Sequence, residues 1–273
     1  MQYGIVFPGG SAPQQLELAV MAEECGWDGV FVWESSYGVD PWGTLTAMAQ
    51  KTSRVKLGTM LTPLAWRRPW KVASQAVTLD QLSNGRAIVA VGLGAQLGDT
   101  REEMDRRVRA EMLDEGIDIM RALWEGKVAF EGTHYHVDFS DRDDLVAVAS
   151  PVQERIPIWC VGGWPRQKSM RRILRCDGLI PQLMDEPPFT HLTPEHLRPI
   201  RAWLDEHSPD RTIEIILDGE TPADDAAAAR DHVAALAEAG ATWWHETRWE
   251  MPHYVPERME QVRQRLRAGP PRP

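Results

Sequence analysis

The sequence predicts an α/β protein of the (β/α)8, or TIM, barrel class with an insertion after strand 4. Short apolar runs alternate with helical patterns along the whole chain, which is the order that produces a parallel sheet. The length of 273 residues suits one such barrel. An open dinucleotide-binding sheet needs a glycine fingerprint after its first strand, and the chain has PGGSAPQQ there instead.

The eight strands are predicted from apolar and β-branched runs that end at glycine, proline or polar residues. The run GVFVW at 29–33, for example, is apolar throughout, as expected of a strand buried on both faces. The predicted strands cover residues 2–7, 29–33, 55–61, 87–94, 157–163, 177–181, 212–217 and 241–246.

The helices between these strands are predicted from capping residues, proline and glycine. Gly26 is expected to end the first helix, and Pro194 and Pro222 are expected to open two later ones, each after a threonine cap. The predicted helices cover residues 13–25, 42–51, 69–82, 106–124, 164–175, 193–206, 221–239 and 255–267.

Residues 95–150 interrupt the regular alternation, and we interpret them as an insertion in the connection after the fourth strand. They contain a polar stretch, the long helix at 106–124 and the sequence VAFEGTHYHVDF, which is typical of a hairpin. No repeat of fixed period and no low-complexity linker divides the chain. We therefore expect a single barrel domain over residues 1–273.

Composition and charge limit the classes of partner. The net charge of −10 argues against nucleic acid or an anionic membrane as the main partner. The three cysteines form neither a disulfide framework nor a CxxC metal pair. The N-terminus lacks the pattern of a signal peptide, and no apolar run approaches the roughly 18 residues of a membrane span. A soluble cytoplasmic protein is expected.

In this fold, the loops at the carboxyl ends of the strands converge on the active site. None of the five lysines falls at a predicted strand end, which excludes a Schiff-base aldolase. The only HxH, His134 to His136, lies in the predicted hairpin, so a metal-dependent hydrolase is disfavoured. No GxSxG elbow is present either.

With these chemistries set aside, the residues expected at the mouth of the barrel are aromatic, glycine and partly basic. Such residues suit a planar ring held against the backbone. Gly162 and Gly163 come just before a predicted helix start at Trp164, with Arg166 close by. Free N–H groups at that helix start would form a phosphate cradle. A simple tight turn with surface charges is the alternative.

Five segments, which together cover nearly the whole chain, carry a family resemblance. They are AEECGWDGVFVWE at 22–34, TSRVKLGTMLTPLAWRRPWKVASQAVTLDQLSNGRAIVAVGLG at 52–94, EGIDIMRALWEGKVAFEGTHYHV at 115–137, PVQERIPIWCVGG at 151–163 and AEAGATWW at 237–244. These segments resemble the luciferase-like flavin-dependent oxidoreductases, which include FMN-dependent monooxygenases and enzymes that use the deazaflavin F420.

The resemblance implies a (β/α)8 barrel with a flavin-type ring against the third strand. Family members often have a non-proline cis peptide there, and the matching bond is Met60–Leu61. They anchor the cofactor phosphate after the fifth strand, at a place that matches Gly162 and Gly163. The cofactor-binding residues expected on these grounds are Trp33, Thr59, Met60, Leu61, Gly92, Gly94, Gly162, Gly163, Trp164 and Arg166.

Two strand ends depart from the family pattern. Many relatives have a histidine just after the second strand, where this chain has Glu34 and two serines. The thiol and arginine at the end of the fourth strand of bacterial luciferase correspond here to Gly92 and Leu93. We therefore expect Glu34 and Glu246 to be the catalytic proton donors or acceptors, with a rim salt bridge as the alternative role for Glu246.

The function implied is oxygen or hydride transfer to a small organic substrate through reduced flavin or deazaflavin. FMN is slightly preferred over F420, and a separate flavin reductase and a homodimer are expected as partners. A carrier or sensor that binds flavin without turnover is the rival function. The expected substrate residues are Trp66, Arg67, Arg68, Trp244 and Trp249. The two arginines are expected to bind an anionic substrate or cofactor tail. The alternative is that they are surface charges at the start of a helix.

Overall fold

The structure, a computed structural model, describes residues 1–94, 105–142, 144, 148–187, 190–247 and 256–272. Its parallel strands pair in a closed ring, which confirms the (β/α)8 barrel. The strands are β1 Gln2–Phe7, β2 Gly29–Val32, β3 Lys56–Thr59, β4 Thr62–Pro63, β5 Ala87–Gly92, β6 Ala129–Glu131, β7 His136–Asp138, β8 Ile158–Trp164, β9 Gly178–Leu183, β10 Glu214–Gly219 and β11 Trp243–Glu246.

The helices form the outer layer. Proline occupies the first turn of five of the described helices, where its missing N–H has no partner to lose. In the described part of the chain, none of the helices combines the length and hydropathy that a membrane span requires. The helices are α1 Ala12–Glu24, α2 Pro41–Ala49, α3 Pro69–Ser83, α4 Arg106–Trp124, α5 Gln167–Ile173, α6 Pro194–His207, α7 Ala226–Glu238 and α8 Pro256–Arg267.

The third barrel strand is divided into β3 and β4, and the expected cis peptide bond, Met60–Leu61, lies between them. The insertion after β5 contains α4 and the antiparallel hairpin β6–β7, as the sequence predicts. The polar stretch at 95–104 lies outside the described residues.

Two helix starts differ from the prediction. The helix after β8 begins at Gln167 because the strand continues to Trp164, which pairs with Leu183. Helix α7 begins at Ala226, where the Asp225 side chain accepts hydrogen bonds from the first N–H groups. The Thr221-Pro222 pair predicted to open it lies five residues earlier, in a connection.

The interior of the barrel is filled by large rings that face small residues across it. Phe31 stacks on Trp159 with ring centroids 5.2 Å apart, and the His245 ring lies 4.2 Å from that of Phe31. Gly4 makes room for these rings, because a Cβ there would come within 2.7 Å of the His245 ring. The rest of this layer consists of Trp243 and non-aromatic apolar side chains, so the barrel centre is a packed core that supports the site above it.

Candidate cofactor and substrate site

The alternation of side chains along each strand decides which residues face the mouth of the barrel. Phe31, Ala90 and Ile180 belong to the inner core, so alternate residues along the same strands face inward as well. Continuing that alternation to the carboxyl ends places the following residues at the mouth: Trp33, Gly92, Gly163, Gln182 and Asp218.

The floor of the mouth lies where β4 and β5 adjoin. The Leu61 side chain packs over Gly92, because a Cβ on that glycine would lie 3.0 Å from Leu61 and 3.2 Å from Val161. Met60 is buried in the inner core, and the Thr59 hydroxyl donates to the Ala90 carbonyl at 3.1 Å. The structure therefore brings Met60, Leu61 and Gly92 together as an apolar floor. Thr59 shares the outward face of β3 with Leu57, so its expected place at the cofactor ring is not supported.

Gly94 supports the floor from the side. It has a φ of 75°, and a Cβ there would lie 2.5 Å from Pro63, so only glycine fits. Its carbonyl and that of Leu93 accept hydrogen bonds from Arg109, whose guanidinium lies over the Trp66 ring at 5.5 Å from the ring centroid. Trp66 is thus fixed beside the mouth by the fourth connection.

The expected phosphate cradle is arranged differently from the prediction. The Gly163 N–H donates to the Ser169 hydroxyl at 2.9 Å, and the missing side chain of Gly162 leaves room for Leu179 on the outer side. Arg166 pairs with Asp185 at the surface. Both glycines belong to β8, so the alternative interpretation of a tight turn is wrong. The helix whose first N–H groups were expected to form the cradle begins at Gln167, three residues later than expected, and the cradle itself stays a prediction. Ser169, which sequence reasoning missed, is a further polar group there.

Glu34 and Arg67 form the principal polar pair of the site. The Glu34 side chain is only 6% exposed and accepts a short hydrogen bond from Arg67 through Oε1. Arg67 also donates to the side-chain amide oxygen of Gln75, Oε1, at 2.6 Å. The second oxygen, Oε2, is buried and has no hydrogen bond of ordinary geometry among the described residues, but the Thr62 side chain lies close enough to lower the pKa of Glu34 through a weak hydrogen bond.

The surroundings of Glu34 favour proton exchange. Burial raises the pKa of its carboxyl above the ordinary value, and the Arg67 guanidinium opposes that rise. The negative charge of Asp40 raises the pKa further. A carboxyl whose pKa is raised towards neutrality is a better general base than an exposed one, since it holds a proton more firmly once it has taken it.

A cleft of about 260 Å³ opens beside this pair. It lies between the loop after β2 and the segment after β4, so a ligand in it would reach Glu34 from the side of the barrel. The described residues around it include Tyr37, Asp40, Pro63, Trp66 and Arg67.

Three of the expected residues face away from the site. Trp244 and Glu246 face the helical layer, where Trp244 packs against His232 of α7 and Glu246 pairs with Arg265 of α8. Their assignment to substrate binding and acid–base catalysis is wrong, because their neighbours in β11, Trp243 and His245, take the inward positions. Arg68 is exposed and lies 5.8 Å from the Trp70 ring centroid, whereas Trp249 lies outside the described residues.

Asp218 is an inward carboxylate that sequence reasoning did not select. It follows Glu214 and Ile216 on the same face of β10, and the Thr247 hydroxyl lies 3.4 Å from its Oδ2. The signal was available, because Ile216 belongs to an apolar strand and Asp218 is two residues further along it. Within the described residues, no group of three or more histidine, cysteine or acidic side chains is arranged to hold a metal ion.

Comparison with known proteins decides the family. The family model of luciferase-like monooxygenases matches residues 1–272. The chain belongs to this family. It is 30% identical over 243 residues to an F420-dependent glucose-6-phosphate dehydrogenase of Amycolatopsis mediterranei, covering 81% of this chain and 67% of that protein. Other curated relatives are matched over 57% and 48% of their own lengths, so the chain spans about half of each of them.

Two solved structures support the same fold for this family member. An F420-dependent secondary alcohol dehydrogenase in complex with an F420-acetone adduct superposes with a TM-score of 0.73 at 19% identity, covering 90% of this chain and 92% of the other. The FMN-bound oxygenating constituent of 3,6-diketocamphane monooxygenase from Pseudomonas putida gives 0.63 at 21% identity, covering 81% and 67%.

The residues at the mouth fit a flavin-type group. The floor formed by Leu61 and Gly92 is apolar, and the missing side chain at position 92 leaves its room to the side chains of Leu61 and Val161. Glu34, which lines the adjacent cleft, would offer its carboxyl to the polar edge of a ring or to a substrate.

Proposed function

We propose that this chain is an F420-dependent oxidoreductase that transfers a hydride between the deazaflavin and a small alcohol or its carbonyl product. The curated relatives named for their cofactor use F420, so the slight preference for FMN drawn from the sequence is not supported. The observation that carries the proposal is Glu34, a buried carboxyl with a raised pKa at the edge of the apolar floor.

Each described residue of the site has a separate task. When bound, the deazaflavin supplies an electrophilic ring carbon that accepts a hydride and returns it. Trp33 and Leu61 would enclose the ring and exclude water. Glu34 would take the hydroxyl proton of an alcohol as its C–H hydride leaves, so that the alcohol becomes a carbonyl compound. Arg67 keeps Glu34 in place and partly stabilises its ionised form.

Binding experiments with the purified protein test the cofactor. Titration with F420 and, separately, with FMN should give saturable quenching of ring fluorescence, with the tighter dissociation constant for F420. Tighter binding of FMN, with turnover that depends on oxygen and a separate flavin reductase, would contradict the proposal.

A hydride-transfer assay separates an enzyme from a carrier or sensor. Oxidised F420 mixed with an alcohol, or reduced F420 mixed with a ketone, should change its absorbance in the presence of the protein. Tight binding without any change, across a broad set of alcohols and ketones, would favour a carrier or sensor.

A further inference from the structure

The second hydrogen bond of Arg67 carries an inference about how the site is held and tuned, which rests on the proposed function and deepens it. We propose that Gln75 of α3 is a positioning residue, which holds the Arg67 guanidinium on Glu34 and, as a neutral acceptor, leaves the whole of its charge to that carboxyl. This use differs from the sequence-based expectation that Arg67 binds an anionic substrate or cofactor tail.

The three side chains come from three different parts of the fold. Glu34 follows β2, Arg67 lies in the connection between β4 and α3, and Gln75 lies on α3 itself. Arg67 donates from one terminal nitrogen to Oε1 of Glu34 and from the other to Oε1 of Gln75, the latter at 2.6 Å. The planar guanidinium is therefore fixed at two points, between the loop after β2 and the third helix.

The second point of attachment matters because arginine is a long side chain. Holding such a side chain in one geometry costs conformational entropy. The Arg67 side chain is 25% exposed and lines the cleft of about 260 Å³, so it can turn into solvent if one of its two bonds is lost. Gln75 supports it from a rigid base, since the neighbouring helix residues Val72 and Ala76 are packed in the core.

The chemical type of residue 75 decides how the charge of Arg67 is distributed. A glutamine amide oxygen accepts a hydrogen bond without a net charge, whereas a carboxylate there would compete with Glu34 for the cation. The charged groups that act on Glu34 in the described part of the chain are Arg67, which lowers the pKa of the carboxyl, and Asp40, which raises it. With a neutral residue at position 75, Arg67 opposes the effects of burial and of Asp40 in full.

A purely structural role for Gln75 is the alternative. Loss of a half-buried hydrogen bond lowers the free energy of unfolding wherever it lies in a protein. A structural role would therefore change the fraction of folded molecules and leave the ionisation of Glu34 as it is. The ionisation of Glu34 distinguishes the two roles.

Carbon NMR of protein labelled at glutamate measures this ionisation directly, and the Glu34 signal is identified by its loss in Glu34→Gln. Gln75→Glu should move the midpoint of the Glu34 titration to higher pH by about half a pH unit or more, because the new carboxylate shares Arg67 and adds a negative charge. Gln75→Met keeps the length of the side chain without its acceptor. It should move the midpoint in the same direction by a smaller amount, because Arg67 then spends part of its time away from Glu34. A midpoint that is unchanged or lowered in either folded variant would overturn the inference.

Two controls isolate the path through Arg67. Gln50→Glu makes the same chemical change at an exposed position at the far end of α2 and should leave the midpoint in place. Gln75→Met combined with Arg67→Met should have the midpoint of Arg67→Met alone, because the acceptor acts only through the guanidinium. Additive shifts in the double variant, or a shift in Gln50→Glu equal to that in Gln75→Glu, would contradict the inference.

Activity provides a second measurement and separates the two proposals. With F420 and an alcohol, the acidic limb of the kcat/KM profile should move to higher pH in Gln75→Glu together with the NMR midpoint, since ionised Glu34 is the base. If the protein has no F420-dependent activity while the midpoints move as expected, the proposed function is wrong and the role of Gln75 stands. If F420 turnover is present while the midpoints and the limb stay in place, only the inference about Gln75 is wrong.

Discussion

Glu34 and Glu246 follow or end the second and eighth barrel strands, and both side chains are buried, at 6% and 1% exposure. Their partners are very different. Glu246 accepts from the Thr221 N–H at 2.8 Å and its hydroxyl at 2.7 Å, and it pairs with Arg265 at 3.3 Å. Glu34 shares one oxygen with Arg67, while the other has no hydrogen bond of ordinary geometry in the described part of the chain.

The comparison teaches that burial of a carboxylate does not by itself indicate catalysis. A buried carboxylate whose oxygens are all engaged stabilises the link between elements, here β11, the connection after β10, and α8. One that is less fully engaged and lies beside a cleft can bind a ligand and exchange a proton.

The largest expected effect separates the two carboxylates by activity. Glu34→Gln keeps the shape but cannot accept a proton, so kcat/KM with F420 should fall by about 10²–10⁴-fold. The dissociation constant of F420 should change by only a few fold. Glu246→Gln, the matched control, should retain kcat/KM per folded molecule, and an equal loss there would remove the distinction between the two.

The second test separates them by stability. Arg265→Met leaves the buried Glu246 without its cation, so the free energy of unfolding should fall by about 3–5 kcal/mol. Arg263→Met on the same helix removes a more exposed pair with Glu17 and should cost about 0–1 kcal/mol. Urea unfolding measures both. Similar losses in the two variants would contradict the assignment of a stabilising role to the Glu246 pair.

His245, the inward neighbour of Glu246, extends the comparison to the other face of β11. Burial lowers the pKa of its imidazole from 6.5 to about 3. The unfolded chain therefore binds this proton below pH 6.5 and the folded chain does not until about pH 3. Stability should fall as pH drops through that window, by roughly 2 kcal/mol between pH 7 and 5.

Comparison of stability curves isolates this histidine from other titrating groups. His245→Leu should make the free energy of unfolding less dependent on pH between pH 7 and 5 than it is in the natural protein, whatever the effect of the substitution on absolute stability. His136→Leu, at an exposed hairpin position, should not. A curve for His245→Leu that is parallel to that of the natural protein would contradict the pKa assignment.

The smallest expected effect concerns the cation beside Glu34. The Arg67 guanidinium lowers the pKa of Glu34 against the effect of burial, so Arg67→Met should raise that pKa. Since ionised Glu34 is the base for alcohol oxidation, the acidic limb of the kcat/KM profile should move to higher pH. Arg68→Met should leave the profile in place. A shift to lower pH in Arg67→Met would be inconsistent with the pairing.

Local patterns predicted most elements, and their errors have a common cause. Thr221-Pro222 has the form of a helix start, yet the Thr221 hydroxyl donates to Glu246, which is 25 residues away. Gly162 and Gly163 have the form of a turn, yet β8 continues beyond them because Trp164 pairs with Leu183. In both cases a tertiary contact that local spacing does not encode overrides the local preference.

The sequence by itself determined the order of strands and helices, the barrel class, the family, and the place of the cis bond. The element order and the barrel class follow because periodicity and turn residues act over short distances along the chain. The family and the cis bond were expected from the resemblance to known family members. Only the tertiary structure decided that Trp243 and His245 face inward and Trp244 and Glu246 outward, since period-two alternation does not specify which set faces the core. It also decided that Arg67 serves Glu34, across 33 residues, instead of an anionic ligand.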